Sequence, residues 1–262
     1  MGRLLSISLI SLPFLAFAGD NATTIETKGS YTTVLVKQIG YSNVATVYCG
    51  LSGGTYTTHT CTRAAINISS TGYGNTAKAF SQWSNHSDNV FTVTQNGNNN
   101  YGYADLDDDE NQGIVIQTGD SNHGEILMAG DNNVYKITQT GDSKYAKIYA
   151  FGDNADSTVV QSGTGQQNAY IYNASAADNN SSTVTQSGSG NHDADIFWYS
   201  DADDGTAVIT QSGSGNHTAR LKFWTDDYNV QVTQGGASNK SFAATYNCVS
   251  NCTKSVTITQ YD

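Results

Sequence analysis

The stretch Phe91-Thr92-Val93-Thr94-Gln95-Asn96-Gly97-Asn98-Asn99-Asn100 decides how the rest of the chain is read. Its first half alternates with a period of two, which places Phe91, Val93 and Gln95 on one face of an extended strand and Thr92 and Thr94 on the other. Its second half is Gly and Asn, the residues that turn a chain. The same apolar–x–Gln recurs at Val36-Lys37-Gln38, Val115-Ile116-Gln117, Ile137-Thr138-Gln139 and Val159-Val160-Gln161. It continues at Val184-Thr185-Gln186, Ile209-Thr210-Gln211, Val232-Thr233-Gln234 and Ile258-Thr259-Gln260, with a degenerate copy at Ile68-Ser69-Ser70. Glycine stands two residues after each of these sites except the last, Gly40 and Gly119 being examples.

The base spacing between successive copies is 22 residues, lengthened elsewhere by additions between the strands. Repetition at such a period marks a solenoid. Between the Gln strands lie second apolar alternations, such as Ala45/Val47, Ala146/Ile148, Ala194/Ile196/Trp198 and Ala219/Leu221/Phe223. The expected fold is all-β, a parallel β-solenoid of about ten rungs, cross-β-like, with two short strands in each rung. In the turns, Gly and Asn of Gly-x-x-Asn (Gly40 to Asn43, Gly97 to Asn100) are expected to supply the positive-φ geometry. Gln shares its face with the apolar residues and therefore points inward, where a primary amide must be hydrogen-bonded. Stacking then predicts one amide ladder through Gln38, Gln95, Gln117, Gln139, Gln161, Gln186, Gln211, Gln234 and Gln260.

The chain opens Met1-Gly2-Arg3, continues through an apolar stretch from Leu4 to Ala16, and reaches Ala16-Phe17-Ala18. A basic start, a short apolar core and small residues at the cleavage site read as a secretory signal peptide, residues 1–18, cut before Gly19. The apolar run is short of the ~20 residues a spanning helix needs, so membrane insertion is not expected. Residues 19–33 lack the repeat and are expected to be an unstructured leader; residues 34–262 are the solenoid. The only proline, Pro13, lies in the signal, which suits a mature chain made of strands and turns. Losing Arg3 leaves 11 Lys+Arg against 23 Asp+Glu, a net charge of −12, which argues against nucleic acid and anionic membrane surfaces as partners.

Four cysteines form two local pairs, Cys49 with Cys61 and Cys248 with Cys252. Rungs stacked at ~4.8 Å put the two pairs about 40 Å apart, beyond the ~7 Å a disulfide spans. Within one molecule only Cys49–Cys61 and Cys248–Cys252 are then expected, in an exported and oxidising setting. Acidic clusters at Asp107-Asp108-Asp109-Glu110, Asp201 with Asp203-Asp204, and Asp226-Asp227 raise calcium, but the regular Gly/Asp repeat of calcium rolls is missing and solvated turns are the simpler reading. His123, His192 and His217 each stand six residues after a Gln; they lack a third ligand and read as exposed turn histidines. No metal, cofactor or enzymatic constellation is expected. Tyr103, Tyr149, Tyr170, Tyr172, Phe197 and Tyr199 are expected as an outward aromatic column.

Gln38-Ile39-Gly40-Tyr41-Ser42-Asn43-Val44-Ala45 resembles the curlin repeat of bacterial curli fibre subunits, as do Ser70 to Ala77, Gln95 to Gly102, Gln117 to Gly124 and Gln139 to Ala146. The resemblance covers residues 34 to 260. It implies a secreted functional amyloid subunit that leaves through an outer-membrane export channel. Such a subunit polymerises with itself and with related subunits into biofilm matrix, and mediates adhesion. Two features depart from the pattern. The second Gln of the curlin repeat is replaced by Cys49, Ser81, Leu106, Met128 and Ala150, and Ala169, Ala194 and Ala219 come one residue late. The alternatives are a minor nucleating subunit, or a monomeric surface solenoid that binds glycan through its aromatic column. An ice-binding solenoid is a weaker rival, because its flat threonine array is interrupted here by Lys37, Ile116 and Val160.

Overall fold

The computed structural model describes residues 19–27, 32–50, 61–81, 86–105, 109–127, 130–150, 156–172, 181–198, 205–223, 228–246 and 254–262. Every regular element among them is a β-strand. The Gln strands form one ten-stranded parallel sheet in chain order, from Thr33–Tyr41 through Ala65–Tyr73, Val90–Asn96, Gln112–Thr118 and Val134–Thr140. Asp156–Gln161, Ser181–Gln186, Thr206–Gln211, Tyr228–Gln234 and Lys254–Gln260 complete it. These strands define rungs 1 to 10. Their register keeps the repeat aligned: Gln95 lies beside Gln117, Gln117 beside Gln139, and Gln234 beside Gln260. The fold is a parallel β-solenoid.

The core is one layer of side chains from each face. Val93, Val115, Ile137, Val159, Val184, Ile209 and Val232, each two residues before its Gln, are all buried. Each such burial stabilises the stack by roughly 1.5–3 kcal/mol. They pack against Ala104, Ile126, Ile148, Ile171, Ile196 and Leu221 of the second face, in one continuous core. The layer is thin, which explains the small residues opposite Gln. A Cβ on Gly102 would sit 2.7 Å from Val93 Cγ1, and one on Gly124 2.7 Å from Val115 Cγ1. Toward the C-terminal end the space is filled by aromatics instead. Trp198 stacks on Phe223 at 4.1 Å and donates from Nε1 to Ser182 Oγ at 2.6 Å.

Three expectations need correction. The second strands are regular only toward the two ends of the array: Ala22–Thr27, Val44–Cys49, Thr76–Ser81 and Tyr101–Asp105 form a four-stranded sheet, and His192–Asp193, His217–Arg220 and Lys240–Ala243 a three-stranded one. Between them the face is held by single bridges such as Tyr101 with His123 and Gln167 with His192. Leu127, Ala150, Tyr172 and Phe197 adopt positive φ, which interrupts an extended strand.

The expected leader is not wholly without structure. Ala22–Thr27 is a strand in parallel register with Val44–Cys49, Thr23 beside Ala45 and Ile25 beside Val47. Its signal was present in the sequence: Asn21-Ala22-Thr23-Thr24-Ile25 precedes Asn43-Val44-Ala45-Thr46-Val47 by one 22-residue period, with Thr in the place of Ala. This is the second half of a rung, rung 0, placed before rung 1.

In the turns the positive φ falls on Gly and on the residue before Asn, as at Ser42, Asn99 and Ser121. Asn43, Asn75, Asn100 and Asn122 themselves are buried. Their task is therefore hydrogen bonding rather than backbone reversal.

Candidate functional site

The polar interior of the solenoid is a set of ladders along the stacking axis, and its two end faces are where those ladders stop. Gln95, Gln117, Gln139, Gln161, Gln186, Gln211 and Gln234 are buried, whereas Gln38 and Gln260 are half-buried at the ends. From Gln95 onward each Nε2 donates to the Oε1 of the next rung's Gln at 2.8–3.0 Å. Ser70 enters the series by donating its hydroxyl to Gln95 Oε1 at 3.0 Å. The second amide hydrogen ties the two faces together. Gln95 reaches Thr76 O, Gln117 reaches Tyr101 O and Gln139 reaches His123 O, each on the preceding rung, at 2.7–2.9 Å. In Gln95, Gln117, Gln139, Gln161 and Gln211 both amide hydrogens and the carbonyl are thus used, which is the condition for burying a polar column at no net cost.

A second amide ladder runs down the turns, and the sequence reading missed it. The backbone N–H groups of Asn43, Asn75, Asn100 and Asn122 donate to the Oδ1 of Asn21, Asn43, Asn75 and Asn100 at 2.9–3.1 Å. The Nδ2 of Asn43, Asn75, Asn100 and Asn122 donates to the Gly carbonyl of the next rung at 2.7–3.0 Å. A third, on the opposite edge, links Asn89, Asn111 and Asn133. The signal was the Asn five residues after Gln38, Ser70, Gln95 and Gln117, at a place where a mere turn former would tolerate Asp or Gly.

The glycine two residues after each Gln is required by sterics as well as by φ. A Cβ on Gly119 (φ +111) would lie 2.3 Å from the carbonyl oxygen of Gly141, and the other rungs from 1 to 8 repeat this at 2.0–2.3 Å.

At rung 6 the turn lengthens by one residue, which is why Ala169, Ala194 and Ala219 come late. The buried turn position passes from Asn122 and Lys144 to Gln167, His192 and His217, while Asn191 and Asn216 move outside. Lys144 stands at the change. It is 1% exposed, its backbone N–H donates to Asn122 Oδ1, and its Nζ donates to Gly165 O and Asp142 O. Burial holds its ammonium below the usual lysine range.

His192 and His217 are buried rather than exposed. Their rings stack at 4.9 Å and 2°, and each Nε2–H donates to a carbonyl, Ser187 O or Ser212 O, at 2.9 Å. Burial lowers the pKa of His192. His123 instead lies half-buried between the rings of Tyr101 and Tyr145, beside Glu125. Among the described residues no group of three His, Cys, Asp or Glu is placed to hold a metal. The turn carboxylates accept backbone N–H bonds from the preceding rung: Asp120 from Asn98, Asp131 from Asp109, Asp142 from Asp120. Asp107, Asp108, Asp201, Asp203, Asp204, Asp226 and Asp227 lie outside the described residues.

The outward rings fall into two groups. Tyr48, Phe80 and Tyr103 stack in one, and Tyr149, Tyr170, Tyr172 and Phe197 in the other, with centroids 5.3–6.1 Å apart. Tyr199 is outside the described residues. So are Cys248 and Cys252; Cys49 is buried at the end of its strand, Cys61 begins the short strand Cys61–Thr62, and no described cysteine is free.

The two end faces differ. At the N-terminal end the sheet of Gln strands stops at Thr33–Tyr41, which exposes Leu35, Ile39 and Tyr41, while the second face goes one strand further, to Ala22–Thr27. At the other end, among the described residues, the Gln sheet goes one strand beyond the second face, to Lys254–Gln260, while the last strand of the second face is Lys240–Ala243. Val256 and Ile258, which continue the column of the fully buried Val230 and Val232, are only partly covered there. Asp262 accepts from the backbone of Ala237 and Ser238 and pairs with Lys240, which together hold its carboxyl at about 2. Comparison of the chain with protein-family models, with curated proteins and with solved structures finds no match.

Proposed function

We propose that this chain is a secreted, curli-like fibre subunit that polymerises end to end into extracellular amyloid fibres of a biofilm matrix and mediates adhesion. One observation carries the reading. Both end strands of the ten-stranded sheet, Thr33–Tyr41 and Lys254–Gln260, are unpaired on their outer side among the described residues. The Gln column extends to each of them, with Gln38 in register with Ser70 at one end and Gln260 bonded to Gln234 at the other. Natural monomers block such edges. A contact between unlike ends does not close on itself and builds filaments. The curlin-like repeat and the signal-peptide pattern support export through an outer-membrane channel and growth among related subunits. Cys49–Cys61 and Cys248–Cys252 are the disulfides of this reading, and they staple the two excursions of the first and ninth rungs. The purified mature chain should form thioflavin-binding fibres with a reflection at ~4.7–4.8 Å. A chain that stays monomeric and dye-negative at high concentration for days would overturn the reading.

The grouped outward rings of Tyr149, Tyr170, Tyr172 and Phe197 favour a second reading, a monomeric surface solenoid that binds glycan. On that reading a glycan array gives binding that Tyr149→Ala or Phe197→Ala abolishes, and no fibre forms.

A further inference from the structure

We infer that copies of this chain join through a stepped, half-rung joint, in which the strand Ala22–Thr27 of one copy completes the unfinished last rung of another. The inference rests on the end-to-end reading above and specifies its contact.

The step is built into both ends. At the N-terminal end the second face projects one strand beyond the Gln sheet, and at the C-terminal end the Gln sheet projects one strand beyond the second face. Among the described residues rung 0 shows only its second strand and rung 10 only its first, so the two halves add to one rung. The half at rung 0 already holds its place in the repeat. Gln38 Nε2 donates to Ala22 O, one rung back, as Gln95 does to Thr76 O and Gln117 to Tyr101 O. Asn21 likewise holds the turn-ladder position, receiving Asn43 N–H on Oδ1 and donating from Nδ2 to Gly40 O. At the other end Gln260 Nε2 reaches Ser241 O, again one rung back. The turn matches too. Asn follows Gln by five residues in Gln38 to Asn43; Gln260-Tyr261-Asp262 is the first part of such a turn and Gly19-Asp20-Asn21 the second.

Polarity selects head-to-tail order. Amide hydrogens point toward the C-terminal end in every Gln–Gln bond of the ladder, so Gln260 presents a donor and Gln38 an acceptor. Gln38 Oε1 takes the Thr23 hydroxyl at 2.9 Å and has a second lone pair for Gln260 of the neighbouring copy. A head-to-head pair would set acceptor against acceptor. Continuing the two registers places Thr257 of one copy beside Leu35 of the next, and Ala243 beside Thr24. All four positions are exposed.

The test is pairwise oxidative cross-linking in the full mature chain. Thr257→Cys mixed with Leu35→Cys should give a dimer, and so should Ala243→Cys mixed with Thr24→Cys; neither variant alone should. Stacked Cα atoms at ~4.8 Å lie within disulfide reach. Fibres that carry the first cross-link and lack the second mean a joint that excludes Ala22–Thr27, which overturns this inference and leaves end-to-end growth standing. Absence of both fibres and cross-links overturns the two together. Leu35→Cys linking to itself would mean head-to-head contact and overturn the polarity. As a second measurement, Ile25→Pro removes an N–H from the open side of the strand, because Ala22 N–H, three residues earlier, faces Asn43 O. It should slow seeded elongation by about tenfold and leave the monomer's circular dichroism unchanged. Unchanged elongation would count against the joint.

Discussion

Gln161→Leu tests the ladder where it is best satisfied. The wild-type amide accepts from Gln139 Nε2 at 2.9 Å and donates to Gln186 Oε1, Tyr145 O and Gln167 O at 2.6–2.9 Å, fully buried. Leucine removes all of these at nearly constant volume. Gln167 O keeps Tyr145 N–H and Gln139 Nε2 keeps His123 O. Gln186 Oε1, Tyr145 O and one hydrogen of Gln139 are left short, at ~1–3 kcal/mol for each unsatisfied buried group. Some of this is offset by the added apolar burial, for a net loss of about 4 kcal/mol. With a denaturant slope near ~3 kcal/mol per M, the urea midpoint should fall by roughly 1.3 M. Gln260→Leu is the internal control. It is half-buried and its loss leaves short only Gln234 Nε2 and the carbonyl of the exposed Ser241, so its cost should stay below about 1 kcal/mol. Amide exchange should locate the damage, since a solenoid's rungs couple mainly to their neighbours. Protection should drop in Asp156–Gln161 and Ser181–Gln186 and persist in Val90–Asn96. If Gln161→Leu and Gln260→Leu shift the midpoint equally, or the first costs less than about 1 kcal/mol, the buried ladder does not stabilise the fold as argued.

Gly119→Ala sets a Cβ 2.3 Å from Gly141 O at φ +111 and should cost at least ~3 kcal/mol in the same urea titration. Ser70→Gln fills the one interior gap in the Gln column between Gln38 and Gln95 and should raise stability by about 1 kcal/mol. Lys144 has a folded pKa below its unfolded value, so the unfolded chain binds more protons and stability should rise with pH up to about 10.5; Lys144→Met should abolish that rise in urea midpoints taken from pH 7 to 10.5. Asp195 is raised to about 6, mainly by burial and despite Arg220. Its folded pKa exceeds the unfolded one, so the wild type should lose stability as pH rises from about 4 to 6, and Asp195→Asn should flatten that slope.

The Gln column was legible because alternation is local: once Val93 and Gln95 share a face, both point inward, and an inward amide needs a partner that only stacking supplies. The Asn column was hidden because Asn is also an ordinary turn residue, so composition does not separate a buried hydrogen-bonding Asn43 from one chosen for its φ. His192 and His217 were read as exposed for a similar reason. The added turn residue that swings them inward has no effect on the spacing from Gln to His. Thr23 in the place of Ala, with no Gln strand before it, concealed the half rung at Ala22–Thr27 even though Asn21 stands one 22-residue period before Asn43.

The sequence by itself determined the rung: its period, its strand faces, and the glycine that lets one turn lie on the next. These follow from side-chain direction and backbone sterics within a few residues. The tertiary structure decided what happens between rungs and at the ends. It set the direction of the amide hydrogens, the lysine that joins two turn lengths, and the opposite steps of the two end faces. Those depend on partners 22 to 25 residues away, where the energy of a buried hydrogen bond, rather than local propensity, selects the arrangement.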